Sequence, residues 1–199
     1  MPCSSFDERH IKIDLKLLEQ DKRVEPLYWG TWGQPIYSRY SILKYFLRHH
    51  QNAVESSVEV FQNGTLEAIL LLHSLTQNLK GRFIYPVYEE DIVKQLPQYI
   101  SVLKQRGVTP PIYVALSFCE MRDWNMWIDP MRVGVRQRAQ CVPFPENQLL
   151  IDFERLDSFE DVKTPKDAAH FMKPIFDVLW HDAGLSGSLN YDKEGNWNR

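Results

Sequence analysis

Cysteine is scarce in this sequence: Cys3, Cys119 and Cys141 are the only three in 199 residues, an odd number with no C-x-x-C spacing. That argues against a disulfide framework or a four-cysteine zinc site and suits free thiols in a reducing compartment, so a cytoplasmic location is expected. Long apolar runs are lacking too. Ala68–Leu72 falls far short of the roughly 20 residues that span a bilayer, and "MPCSSFDERH" has no apolar core for a signal peptide, so no membrane is expected. Neither G-x-x-x-x-G-K-[ST] nor G-x-G-x-x-G occurs, which removes the familiar phosphate cradles, and no cofactor is expected. H-E-x-x-H is missing, and "GLSGSLN" follows a predicted helix where a serine-hydrolase elbow would precede one.

What is present describes an ordinary globular chain, with 44% hydrophobic residues, 25% charged residues and a formal net charge of -3. Attraction to nucleic acid therefore needs a local basic patch. Residues 1–199 read as a single domain without a linker or internal repeat.

Ile11, Ile13 and Leu15 alternate with His10, Lys12 and Asp14, which predicts a half-buried strand over 10–15. The run Tyr37–Phe46 predicts a strand whose aromatic side chains enter the core. "SVEVFQNGTLEAI" predicts a hairpin turning at Asn63-Gly64 in type I′ geometry. After an extended stretch at 82–87, the acidic residues Glu89, Glu90 and Asp91 favour the positive end of a helix dipole. That helix stops at Gly107, ahead of Pro110 and Pro111, and Pro97 predicts a kink or a break within it. "IYVALSF" predicts a central strand covered on both faces. A strand around Trp124–Ile128, a loop, and a strand over Leu149–Phe153 follow. Thr164, Pro165 and Asp167 predict the capped start of a last helix that bends at Pro174 and ends at Gly184. The expected fold is α+β, one antiparallel or mixed β-sheet with two main helices packed on it.

Candidate chemistry is sparse. His170 and His181 lie eleven apart on one predicted helix, about 16 Å along its axis, too far to share an ion. Asp152 and Glu154 share a strand face and offer two carboxylates to a Mg²⁺, although carboxylates on a wet strand face are commonplace. Asp14 and Lys16 show the same spacing. Cys119 ends an apolar strand and reads as a small buried hydrophobe. The basic stretch Arg132, Arg136 and Arg138, with Arg122 beside Trp124, combines phosphate-holding and base-stacking groups, against the plain reading of a solvated loop. The tail "NYDKEGNW" offers a turn flanked by Tyr191 and Trp197, an aromatic clip tying the terminus to the sheet.

The string "KPIFDVLWHDAGLSGSLNYDKEGNW", together with "YSRYS", "VFQNGTLEAI", "YPVYEEDIVKQLPQYI" and "PPIYVALSF", resembles the C-terminal region of bacterial proteins that carry an AlbA-like, Schlafen-type DNA-binding domain. The AlbA-like domain has no counterpart in these residues. "CEMRDW" and His181 depart from the pattern, and the resemblance brings no catalytic residue with it. It implies a non-catalytic accessory domain that takes a protein partner within a nucleic-acid-related system. Two further readings are a nucleic-acid binder or processor using the Arg132–Arg138 loop, and a small-molecule enzyme with a pocket of Trp29, Trp32 and Tyr37.

Overall fold

A computed structural model describes residues 12–27, 30–48, 53–72, 82–128 and 141–198. The fold is α+β with two long helices, and its described strands divide among three sheets. Strands β1 (Thr31–Trp32), β2 (Ile36–Tyr37), β3 (Ser41–Leu47), β4 (Val54–Phe61) and β5 (Leu66–Leu70) form the first sheet, in which β1 and β2 both pair with β3 and the order continues β3-β4-β5. Strand β6 (Phe83–Ile84) pairs in parallel with β8 (Asn125–Met126), and β7 (Ile112–Cys119) pairs with β9 (Gln148–Leu156). The helices are α1 (Val87–Gln105) and α2 (Pro165–Asp182).

Helix ends follow from local chemistry. Gly107 and Gly184 sit at φ +84° and +83°. Val108 N–H donates to Leu103 O at 3.0 Å and Leu185 N–H to Trp180 O at 2.9 Å. Both ends are Schellman caps, each with its trailing apolar residue buried. At the start of α2, Thr164 and Asp167 exchange side-chain and backbone hydrogen bonds as a capping box, with Pro165 at the first helical position. α1 runs through Pro97 as one helix, so the alternative of two short helices does not occur.

Several expectations are corrected. Residues 12–14 are not a strand, and Leu15–Leu18 is a 3₁₀ turn capped by Asp14, whose Oδ1 accepts from Lys16 N–H at 3.0 Å. The alternation there buries Ile13, Leu15 and Leu18 by a tight turn instead of a pleat. The aromatic run Tyr37–Phe46 is largely outside the core, with Tyr37 and Tyr40 about half accessible, Tyr45 half-buried and Phe46 alone buried. Among the described residues β7 has β9 as its one partner, and Ala115, Ser117 and Cys119 are exposed, so the central strands are β3 and β4 instead. The hairpin at Asn63-Gly64 is present, but Gly64 alone takes positive φ. Gly64 N–H donates to Phe61 O at 3.0 Å and Phe61 N–H to Thr65 O at 2.9 Å, making a three-residue loop in place of the type I′ turn.

The described residues pack as two compact units, one drawn from Met1–Leu71, Asp91–Val114 and Arg155–Ala168, the other from Leu72–Glu90, Ala115–Glu154 and Ala169–Arg199. The first unit holds the five-stranded sheet. Its inner face buries Ile42, Phe46, Val58 and Val60. Lys44, also inward, donates to Asp21 O at 2.9 Å and Leu18 O at 3.4 Å, and burial lowers its pKa. Nearby, Arg23 grips Asp21 through two bonds of 2.9 and 2.7 Å. Tyr99 donates to Glu25 O at 2.5 Å and Gln95 to Arg23 O at 2.8 Å, which ties α1 to this segment.

Candidate functional site

Register determines what the five-stranded sheet presents outward. Ile36 pairs with Leu43, Leu43 with Glu59 and Glu59 with Glu67; one rung along, Tyr45 pairs with Ser57 and Ser57 with Ile69. Side chains on these two rungs share one face, opposite to Ile42, Lys44, Val58 and Val60. Ile36 and Ile69 are 52% and 51% exposed, while Leu43, Tyr45 and Glu59 are half-buried between them. Tyr45 lies across Gly33, where an added Cβ would meet the ring at 2.0 Å, so the glycine makes room for the ring on the sheet.

Glu59 and Glu67 face one another directly across β4 and β5. Like charges so placed repel. Ser41 donates to Glu59 through a short hydrogen bond and also contacts Ser38 at 2.6 Å, which settles one carboxylate, while Glu67 remains exposed. The outer face is thus an apolar patch carrying two adjacent negative charges, a surface complementary to a cationic group on a partly apolar partner.

The second unit contains a carboxylate of the opposite kind. Glu89, in the first turn of α1, is completely buried. Its Oε1 accepts from Trp180 Nε1 at 2.6 Å and Tyr88 Oη at 3.1 Å, and its Oε2 from Ser188 Oγ and Asn190 Nδ2, both at 2.7 Å. A carboxylate has about four acceptor sites, and these four donors occupy them. Burial raises the Glu89 pKa above its ordinary value, against the opposing pull of the four donors. With no acceptor site left over, Glu89 is an internal strut. The helix-dipole reading of Glu89 missed this because its partners lie about a hundred residues downstream.

Those partners belong to the tail, whose described contacts run to the helices, where a clip onto the sheet was expected. Tyr191 donates to Ala169 O of α2 at 2.6 Å, its ring meets Trp197 edge-on at 5.0 Å, and the two residues form a β-bridge. Asp192–Gly195 makes the turn between them, with Gly195 N–H donating to Asp192 O at 3.0 Å. Ser188 N–H donates to Asp177 of α2 at 2.8 Å, and Lys173 pairs with the same carboxylate.

The remaining sequence candidates that the structure describes do not converge. Arg132, Arg136, Arg138 and Trp29 lie outside the described residues, as do Cys3 and the histidines other than His170 and His181. Arg122 is exposed, and Trp124 is half-buried with its backbone joined to Met121 and Phe144. Asp152 is exposed and Glu154 half-buried on β9, and no group of three or more His, Cys, Asp or Glu gathers among the described residues. His170 and His181 are exposed. Cys119 is exposed, not buried, because its end of β7 alternates. Trp32 packs edge-on against Phe46 at 4.3 Å, and Tyr37 donates to Glu19 at 2.8 Å. No family model matches the chain, and no curated protein or solved structure is significantly similar to it.

Proposed function

We propose that this protein is a non-catalytic interaction domain whose outer sheet face receives a cationic, partly apolar segment of a protein partner. The observation that carries the reading is the Glu59–Glu67 pair, two like charges held opposite each other on the face that also exposes Ile36 and Ile69. A sheet evolving for stability alone gains by replacing one of them; a Lys or Arg from a partner placed between them relieves their repulsion. The enclosure of Glu89 supports the non-catalytic part, since this buried acid faces four protein donors and has no side open to a substrate. Resemblance of the hairpin and tail strings to the region following AlbA-like domains supports a setting within a nucleic-acid-related system.

The test is site-specific photo-crosslinking in the native host. A photoreactive side chain at Ile69 is expected to capture a partner through a Lys- or Arg-rich peptide, and Glu67→Lys to abolish the adduct. A probe at Leu150, 70% exposed on β9, serves as the control. Equal capture from both positions, or capture that survives Glu67→Lys, removes the reading.

A further inference from the structure

At the hairpin end of the five-stranded sheet lies a groove of about 390 Å³, lined by the segment 12–16, by Tyr37, Ser38 and Arg39, and by Gln62. Its walls are held by backbone bonds between separate parts of the chain. Ile13 N–H donates to Gln62 O at 2.9 Å, Gln62 N–H to Tyr40 O at 2.8 Å, and Ser38 N–H to Ser41 O at 3.0 Å.

The lining inverts the sign of the chain's net charge of -3. Lys12, Lys16 and Arg39 are exposed around the groove, and no ion pair among the described residues involves any of them. Arg39 lies over the Tyr40 ring at 5.1 Å, which restrains the guanidinium without neutralising it. Asp14, the single lining carboxylate, has one oxygen committed to the Lys16 backbone N–H.

We propose that this groove binds a small phosphorylated ligand, a phosphate monoester of sugar or nucleoside size. Arg39 offers a planar fork that matches two phosphate oxygens, and Lys12 and Lys16 add mobile point charges. The Gln62 side-chain amide is placed to serve a ligand hydroxyl. The volume falls within the range of small-ligand pockets. Among the described residues Asp14, together with Glu19 on the Tyr37 hydroxyl, bounds the positive region, which favours a compact ligand over a nucleic-acid strand. The lining shares no residue with the outer sheet face, and Ser38 reaches Glu59 only through Ser41.

The experiment is an amide-resolved NMR titration of the whole chain with ribose 5-phosphate and with inorganic pyrophosphate, using unphosphorylated ribose as control. Both phosphorylated probes are expected to give saturable shifts at residues 12–16, 38–40 and 62. The double substitution Lys12→Gln, Arg39→Gln should weaken binding at least about tenfold, the scale of losing one charge-assisted hydrogen bond. Lys193→Gln and Glu67→Lys should leave it unchanged, the latter separating this site from the partner-binding face. The same spectra report whether each variant is folded, and Lys16→Gln replaces the double variant if that one is not. The proposal is overturned by equal shifts with ribose, by non-saturating shifts scattered over the surface, by binding that a folded variant retains, or by oligothymidylates binding more tightly as they lengthen.

Discussion

The two units handle acidic side chains in opposite ways. Glu89 of the second unit is wholly buried and has a donor for every acceptor site. Glu59 and Glu67 of the first sit at a surface, placed against each other, with one of them having no donor among the described residues. An unpaired buried charge is intolerable, so the second unit draws in the tail to satisfy its acid. A surface charge can remain uncompensated because water screens it, at a small standing cost. The buried acid therefore marks architecture, and the exposed pair is where the proposed partner contact is to be tested.

The largest effect should come from breaking the buried side of this contrast. Glu89→Leu strands the Trp180, Tyr88, Ser188 and Asn190 donors and is expected to cost about 4 kcal/mol in chemical denaturation. Glu89→Gln, which turns an amide NH₂ toward donors, should cost about half of that. A loss below about 1 kcal/mol for the leucine variant would show that the cluster is no strut. The pH dependence has a definite sign. Burial places the folded-state pKa of Glu89 above its ordinary 4.5, so the folded protein binds the proton more tightly than the unfolded chain. The contribution is complete below 4.5 and is lost as pH rises through the raised folded value. Wild type should accordingly lose part of its advantage over Glu89→Gln as pH is raised above 4.5, and a widening advantage would contradict the burial-dominated shift.

An intermediate effect tests how the tail is held. Tyr191→Phe removes the hydroxyl bond to Ala169 O and should cost about 1 kcal/mol; Trp197→Ala, losing the edge-on ring contact, should cost a similar amount. Because Ser188 and Asn190 reach Glu89 from just before Tyr191, a loosened clip should also raise amide exchange at 188–191. Full protection there in both variants would show that Glu89 alone anchors the tail.

Local signals in the sequence were legible where one short stretch decides the outcome. Gly107, Gly184 and the Thr164–Asp167 box fixed three helix ends as read, because cap chemistry is contained within a few residues. The period of two at 11–15 misled, since at the described positions Ile13 and Leu15 are buried around a 3₁₀ turn capped by Asp14 and not by a pleat. The hairpin was legible, yet its turn type was not, and the difference reaches the candidate site. A two-residue Asn63-Gly64 loop would set Glu59 opposite Ala68. The three-residue loop sets it opposite Glu67 and creates the acid pair. Glu89 was illegible for another reason, because its donors on α2 and the tail are fixed by tertiary packing that no local pattern encodes.

The smallest effect is the most discriminating, because stability and binding should move in opposite directions. Glu67→Gln removes the like-charge repulsion against Glu59 without changing shape or disturbing the Ser41–Glu59 bond. It should raise stability by about 0.5 kcal/mol at low ionic strength, and the gain should shrink as salt is added. The same change halves the charge offered to a cationic partner, so capture through a probe at Ile69 should fall. A surface shaped only by folding would yield the stability gain with no loss of capture. If stability instead fell, Glu67 would have a compensating contact within the chain, and the acid pair would belong to the scaffold alongside Glu89.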